Sequence, residues 1–111
     1  MQIETRAAGD IGIAAISGEI DSKTVPQAQG ELFSLIERHN RLIIEMSGVT
    51  FLSSAGLRIL LLLYRHAAAK NGKVVLVGLS NEIKDTMSMT GFLNFFVITD
   101  TLDAGLQALT S

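Results

Sequence analysis

Short apolar segments alternate with amphipathic ones along most of the chain. An apolar run of about four to eight residues that ends at glycine or polar residues predicts a buried strand. Such runs occupy residues 11–16, 41–46, 73–77 and 95–98. A shorter segment, residues 2–6, could pair with the first of these runs through a turn at Gly9-Asp10. The pattern therefore predicts four or five strands.

Apolar residues recur at helical spacing between these strands, and polar or small residues at the ends supply helix caps. Four helices are predicted, over residues 25–39, 54–71, 81–90 and 102–109. The first helix carries Pro26 in its first turn, where proline is tolerated. The predicted caps and stops are Ser22 or Thr24 before the first helix, Gly72 after the second, Ser80 and Gly91 around the third, and Thr101 before the fourth.

Strand and helix segments alternate from residue 41 onward. Alternation of this kind is typical of an α/β domain, because the crossover between two parallel strands is usually a helix. We therefore expect one α/β domain over residues 1–111, with a mostly parallel sheet of four to five strands and about four helices packed on it.

Charge and composition exclude several classes of function. A net charge of −2 leaves no basic field for a phosphate backbone, so direct nucleic-acid binding is not expected. The chain has no cysteine, which excludes disulfides, thiol catalysis and cysteine zinc sites and fits a reducing cytoplasm. Residues 1–6 lack the apolar core of a signal peptide, and the longest apolar run, residues 59–64, is too short to span a bilayer. We expect a cytoplasmic protein without membrane insertion.

The sequence offers no constellation of catalytic residues. His39 and His66 fall at the ends of predicted helices, outside any metal-ligand spacing. A glycine-rich phosphate loop and a Gly-x-Ser-x-Gly elbow are both missing from the sequence. We therefore expect no enzyme activity, no catalytic residue, no metal and no cofactor.

Two polar segments remain as candidates for function. The first, Gly18 to Ser22, follows a buried strand, where Asp21 would be favoured by the dipole of the next helix. The second is Ser53-Ser54 at the start of the central helix. Ser53 is well placed as an N-cap that accepts an N–H from Ala55 or Gly56. Spacing alone leaves two interpretations of the serine pair, a plain helix cap or a site where a phosphate is added and held.

Two motifs together resemble the STAS domain of bacterial anti-sigma factor antagonists. They are Gly18-Glu19-Ile20-Asp21 and, after a strand, Phe51-Leu52-Ser53-Ser54-Ala55-Gly56-Leu57-Arg58. The resemblance covers essentially the whole chain and implies the STAS fold over residues 1–111. Ser53 stands where the most familiar form of the family has Asp, and Ala55 stands where the family commonly has Ser or Thr.

The resemblance implies that Ser54 is phosphorylated, with Ser53 as its helix cap and as the alternative phosphoacceptor. In this family the kinase is also the anti-sigma factor, so the implied partners are an anti-sigma factor serine kinase and a metal-dependent serine phosphatase. The unphosphorylated protein would bind the anti-sigma factor, and the phosphorylated protein would release it. The implied partner-binding residues are Asp21, Ser22, Ser53, Ser54, Leu57 and Arg58. Met87 and Met89 could extend this surface, although core packing is the favoured interpretation of Met87.

Two other functions stay open on the sequence alone. Partner-switching modules that resemble this chain can govern a phosphatase, a secretion system or another output that involves no sigma factor. STAS domains also serve as subunits of membrane transporters, where they are not phosphorylated. Both alternatives keep the fold and change the partner.

Overall fold

The structure, a computed structural model, describes residues 1–110 and places five strands and four α-helices among them. Ser111, the last residue of the expected domain, lies outside the described residues. In chain order the elements are β1 (Gln2–Ala8), β2 (Ile11–Ile20), α1 (Val25–Arg38), β3 (Arg41–Leu52), α2 (Ser54–Ala69), β4 (Lys73–Val77), α3 (Asn81–Thr90), β5 (Val97–Thr99) and α4 (Leu102–Thr110), with a 3₁₀ turn at Phe92–Phe95 before β5.

The five strands form one sheet in the order β1-β2-β3-β4-β5. β1 runs antiparallel to β2, and the other three pairs are parallel. The parallel pairs are joined through α1, α2 and α3, as parallel neighbours require a crossover connection. This arrangement confirms the predicted α/β class, the mostly parallel sheet and the pairing of the first two strands.

The strands contribute side chains to two apolar layers, because successive residues of a strand point to opposite faces. Leu42 and Ile44 belong to the larger layer, which also contains the buried residues of α1, α2 and α3. Ile43 belongs to the smaller layer, together with Leu109 of α4. Helices therefore cover the centre of the sheet on both faces, which explains why the central strands are continuous apolar runs.

β2 and β3 extend well beyond the predicted strands, which ended at residues 16 and 46. The smaller apolar layer stops before these extensions, so one face of the sheet meets solvent there. Ser17 and Ser47 lie in the extensions and are exposed. The apolar pattern is interrupted for this reason, although the backbone ladder continues to the Ile20–Leu52 pair.

The last strand was predicted at residues 95–98, which is wrong by about two residues, since β5 covers Val97–Thr99. Phe95 belongs instead to the 3₁₀ turn, where its ring centroid lies 5.4 Å from that of Tyr64 on α2. Packing between aromatic rings thus outweighs the strand propensity of this segment.

The helix ends follow the predicted capping at most positions. Ser80 caps α3 by accepting a backbone N–H at 3.2 Å, and Gly91 ends that helix in the left-handed region with φ 79°. Thr101 caps α4 by accepting a backbone N–H at 3.1 Å. α2 ends at Ala69, slightly earlier than predicted, because Asn71 already has a left-handed backbone with φ 60°.

Candidate functional site

The carboxyl ends of β2 and β3 lie side by side at one edge of the sheet. Ile20 pairs with Leu52 in the parallel register, and the backbone N–H of Ser53 donates a hydrogen bond of 2.9 Å to the carbonyl of Ile20. The turn after β2 and the start of α2 are therefore held next to each other. We call residues 21–24 together with residues 51–58 the candidate surface.

Ser53 is the N-cap residue of α2. Its backbone is extended, with φ −80° and ψ 173°, and its Oγ accepts a hydrogen bond of 3.2 Å from the N–H of Gly56. Its carbonyl accepts the N–H of Leu57 at 2.9 Å, which starts the helical hydrogen-bond pattern. The half-buried side chain thus satisfies one of the N–H groups that a helix start leaves without a partner.

Ser54 is the first residue of α2 and is exposed. Its hydroxyl makes no hydrogen bond to another residue within the part of the chain that the structure describes, whereas that of Ser53 bonds to Gly56. The two neighbouring serines therefore differ in what they can do. Ser53 is occupied as a cap, and the hydroxyl of Ser54 is accessible for modification.

Gly56 sets how closely the first turn of α2 approaches the strand ends. A Cβ atom at this position would lie 2.6 Å from Cδ1 of Leu52, 2.9 Å from Cγ2 of Ile20 and 3.0 Å from the carbonyl oxygen of Ile20. Contacts this short are not tolerated without movement of the backbone or of these side chains. A glycine is therefore needed for α2 to begin directly against β2 and β3.

Asp21 closes the turn between β2 and α1. Its Oδ1 accepts the backbone N–H of Lys23 at 2.9 Å and that of Thr24 at 3.1 Å. The Thr24 hydroxyl in turn accepts the N–H of Asp21 at 2.9 Å and donates to the carbonyl of Glu19 at 3.0 Å. These bonds fix the position of the Asp21 carboxylate in the turn that follows Ile20, whose carbonyl accepts the Ser53 N–H.

The predicted capping of α1 by Ser22 or Thr24 is wrong in its side-chain chemistry. Thr24 occupies the N-cap position, but its hydroxyl makes no capping bond to α1, because it is engaged with the turn.

The backbone N–H of Thr24, and then that of Lys23, lower the pKa of the Asp21 carboxyl, because hydrogen bonds to a carboxylate favour its ionised form. Asp21 therefore carries a stabilised negative charge at the candidate surface.

Apolar Leu57 and basic Arg58 were both expected to contact a partner, but the structure gives them different environments. Leu57 is only 5% exposed and belongs to the larger apolar layer, so the prediction that it contacts a partner is wrong. It lies on the helix face that packs on the sheet, while Arg58, the next residue, is exposed. Ser22 is also exposed, in the turn closed by Asp21.

Residues 2–105 match the STAS domain family. The match spans both motifs and all of the candidate surface. The chain belongs to the STAS domain family. Its mostly parallel five-stranded sheet with four α-helices is therefore a STAS fold.

Two relatives of this STAS domain are anti-sigma factor antagonists by name. BtrV of Bordetella bronchiseptica, named as a candidate anti-sigma factor antagonist, is 27% identical over 97 residues, which cover 86% of this chain and 84% of BtrV. The crystal structure of an anti-sigma factor antagonist from Mycobacterium paratuberculosis is 26% identical, with a TM-score of 0.90, and the match covers 99% of this chain and 94% of that one.

The same fold occurs in the Bacillus cell fate determinant SpoIIAA, whose structure in the phosphorylated form has a TM-score of 0.78 to this chain. The match covers 96% of this chain and 98% of SpoIIAA at 17% identity, so the likeness is one of fold. Together these similarities establish the architecture of the STAS domain and its relationship to anti-sigma factor antagonists.

Phe51 begins the second motif of this STAS domain but was not among the predicted partner-binding residues. Its side chain is 50% exposed, and only Leu52 separates it from the serine pair. With Thr50 and Leu52 it lines a shallow cleft whose other wall includes Glu82 and Thr86 of α3. The sequence pattern does not indicate this exposure, because residues 47–52 of β3 do not alternate strictly between exposed and buried positions.

The two methionines of α3 have opposite environments. Met87 is fully buried in the larger apolar layer, so it does not extend the surface. Met89 is 88% exposed on the same helix. Since side chains two residues apart on a helix point in very different directions, only Met89 is accessible to a partner.

The histidines of the STAS domain lie outside the candidate surface. Nδ1 of His39 is 3.3 Å from the carbonyl oxygen of Asp10, and Nε2 of His66 is 3.4 Å from the carboxylate of Glu37. Residues 1–110 contain no group of three or more His, Cys, Asp or Glu side chains that could hold a metal ion. Over the same residues, no helix has both the length and the apolar character needed to cross a membrane.

Proposed function

We propose that this STAS domain is an anti-sigma factor antagonist that acts by binding and has no catalysis of its own. In its unphosphorylated form it binds a kinase-type anti-sigma factor in the bacterial cytoplasm and so frees a sigma factor. The kinase partner phosphorylates Ser54, and the phosphorylated protein then releases this partner. A metal-dependent serine phosphatase removes the phosphoryl group and restores binding.

The observation that carries this proposal is the difference between the two serines. The Ser54 hydroxyl is exposed and unbonded within residues 1–110, while the Ser53 hydroxyl caps the helix. A kinase can therefore reach Ser54 without breaking the cap. The names of the two anti-sigma factor antagonist relatives support the same function, and SpoIIAA is a protein of this fold that has a phosphorylated form.

Electrostatics explains how one phosphoryl group could switch binding. Phosphorylation adds about 1.5–2 negative charges at neutral pH. Free N–H groups at the start of a helix can accommodate a phosphoryl group without a change of backbone. At an interface that also contains the Asp21 carboxylate, the new charge would be repelled and poorly solvated. A loss of about 1.4 kcal/mol weakens affinity tenfold, so no large conformational change is required.

The proposed partner surface consists of exposed or half-buried side chains around the serine pair. Its polar members are Asp21, Ser22, Ser53, Ser54 and Arg58. Phe51 adds an exposed aromatic ring next to them, and aromatic residues often contribute most of the binding energy at an interface. The surface therefore combines an apolar anchor with the hydroxyl that is modified.

Phosphorylation by the partner gives the direct test. The protein is incubated with ATP and the kinase-type anti-sigma factor encoded beside its gene, and the modified residue is located by mass spectrometry. We expect a single phosphoryl group on Ser54, retained in Ser53→Ala and absent from Ser54→Ala. Phosphate on Ser53 with Ser54→Ala still modified would contradict the assignment, as would complete absence of phosphate.

A further inference from the structure

Arg58 lies one helical turn after Ser54 on α2. Residues four apart on a helix are neighbours, and helical side chains lean toward the helix N-terminus, so the Arg58 side chain can reach the Ser54 side. Arg58 is exposed and forms no ion pair with another residue in the described part of the chain. Its guanidinium is therefore available to a new anion on that helix face.

α2 has no carboxylate that could pair with Arg58 along the helix. None of the residues in Ser54–Ala69 is Asp or Glu, whereas α3 has Glu82 in its first turn and α4 has Asp103. A carboxylate near a helix start is the usual complement to the helix dipole. An anion at residue 54 would therefore be the first negative charge within α2. It would interact with both the N–H groups at the helix start and the Arg58 side chain.

We propose that Arg58 holds the phosphoryl group of phosphorylated Ser54 as an ion pair within α2. This inference rests on the proposed phosphorylation of Ser54. The order of charges, an anion followed four residues later by a cation, is the favourable one on a helix. A guanidinium can also donate two parallel hydrogen bonds to phosphate oxygens. Arg58 thus contacts the partner in the unphosphorylated protein and pairs with the phosphoryl group after phosphorylation. One modification therefore adds a negative charge to the interface and removes the contact between Arg58 and the partner.

The other charged groups around the candidate surface belong to neighbouring elements. Asp21 and Lys23 lie in the turn before α1, and the Asp21 carboxylate is already bonded to two backbone N–H groups of that turn. Glu82 of α3 lines the cleft beside Phe51. These groups are unchanged in variants of α2, so their effect on a phosphoryl group at residue 54 cancels when such variants are compared.

The second pKa of the phosphoryl group measures the proposed contact without any partner protein. Phosphoserine is incorporated at position 54 by genetic encoding, and its ³¹P NMR signal is followed against pH. A nearby cation favours the dianion, so Arg58→Gln should raise this pKa by about 0.3 pH units relative to the parent protein. Arg58→Lys keeps the positive charge and should restore most of the difference.

Arg65→Gln is the matched control, because Arg65 is exposed on the same helix and its loss changes the net charge equally. It lies eleven residues after Ser54, about 16 Å along the helix axis, which is twice the screening length of about 8 Å at physiological salt. The second pKa of the phosphoryl group in Arg65→Gln should equal that in the parent protein. The shift caused by Arg58→Gln should vanish in about 1 M salt, where the screening length is about 3 Å.

Two results would overturn the proposal: an unchanged pKa in Arg58→Gln, or an equal shift in Arg65→Gln, which would reduce the effect to net charge. Each variant is checked for its unfolding midpoint, and exposed residues on α2 are expected to leave it unchanged. The measurement is independent of the proposed function. If phosphorylated and unphosphorylated protein bound the anti-sigma factor equally, the switch would be wrong while the Arg58 contact could still be present.

Discussion

The starts of α2 and α3 share one capping geometry and differ in the residues after the cap. Ser53 and Ser80 each accept a backbone N–H at 3.2 Å from three residues ahead. α3 then has Glu82 in its first turn, whereas α2 has no acid there and begins with the exposed Ser54. A serine cap is therefore ordinary helix chemistry. The free hydroxyl and the missing carboxylate are the features that distinguish α2.

The two helices also differ in how their first turns meet the sheet. The third helical residue of α2 is Gly56, which brings the backbone directly against Ile20 and Leu52. The same position of α3 is Ile83, whose buried side chain packs into the larger apolar layer. A side chain thus separates α3 from the strands, while α2 contacts the strand ends through its backbone. Ser54 therefore belongs to a helical turn whose backbone lies directly against the strand ends.

Gly56→Ala should have the largest effect on this comparison. The added Cβ would lie 2.6 Å from Leu52 and 3.0 Å from the backbone oxygen of Ile20, so we expect a loss of about 2 kcal/mol in the free energy of unfolding. Gly30→Ala is the matched control, because a Cβ there meets nothing within 4 Å and alanine favours a helix by up to about 1 kcal/mol. Denaturant unfolding measures both. Equal stability of Gly56→Ala and the parent would show that α2 is not seated by this contact.

Ser54→Asp should weaken binding to the kinase-type anti-sigma factor by at least about tenfold, because it places a negative charge inside the proposed interface. Asn81→Asp adds the same charge at the first residue of α3, and Ser34→Asp adds it at an exposed position of α1. Both control variants should bind the anti-sigma factor more tightly than Ser54→Asp does. Isothermal titration calorimetry measures the three affinities, and a uniform loss would mean that net charge alone controls binding.

Ser53→Ala and Ser80→Ala should each cost about 1 kcal/mol in the free energy of unfolding, since each removes one equivalent cap. Thermal unfolding of the two variants tests whether the caps are interchangeable in energy. We expect Ser53→Ala to remain a substrate of the kinase, because its loss leaves the Ser54 hydroxyl in place. A much larger cost for Ser53→Ala would show that its side chain does more than cap α2.

Asp21→Asn should have the smallest effect, a small loss of stability above about pH 3.8 that disappears in acid. The folded pKa of Asp21 lies below the ordinary value of 3.8, so its carboxylate stabilises the fold above that pH and this contribution is lost as pH falls through the folded pKa. Asparagine keeps an oxygen that accepts the N–H groups of the turn but does not titrate. The unfolding midpoint of the parent should therefore fall more steeply below pH 3.8 than that of the variant, and parallel acid curves would contradict the role of this turn.

The sequence predicted those parts of the fold in which one signal dominates. β4 matches its predicted bounds because, after Lys73, it is an unbroken apolar run buried on both faces. α3 matches because Ser80 and Gly91 mark its two ends. β2 and β3 were predicted too short, since the uncovered face of their extensions carries polar residues. A local pattern cannot reveal which part of a sheet face α4 leaves open.

The candidate site was predicted as a set of residues, but its internal roles required coordinates. The Ser53 cap follows from local chemistry and could be inferred from spacing. The burial of Leu57 depends on how α2 is rotated against the sheet, which a helix with apolar residues on most sides does not define. The bonding of Asp21 within its own turn and the exposure of Phe51 depend on where β2 and β3 end.

The hydrogen bond from the Ser53 N–H to the Ile20 carbonyl has a kinetic consequence. Because it ties the helix start to the strand ladder, the surface exists before a partner arrives, and encounter requires no ordering of a loop. Association should then proceed at the rate that orientation and diffusion allow, with little change on phosphorylation. The difference between the two forms should appear as residence time, through a faster dissociation of the phosphorylated complex.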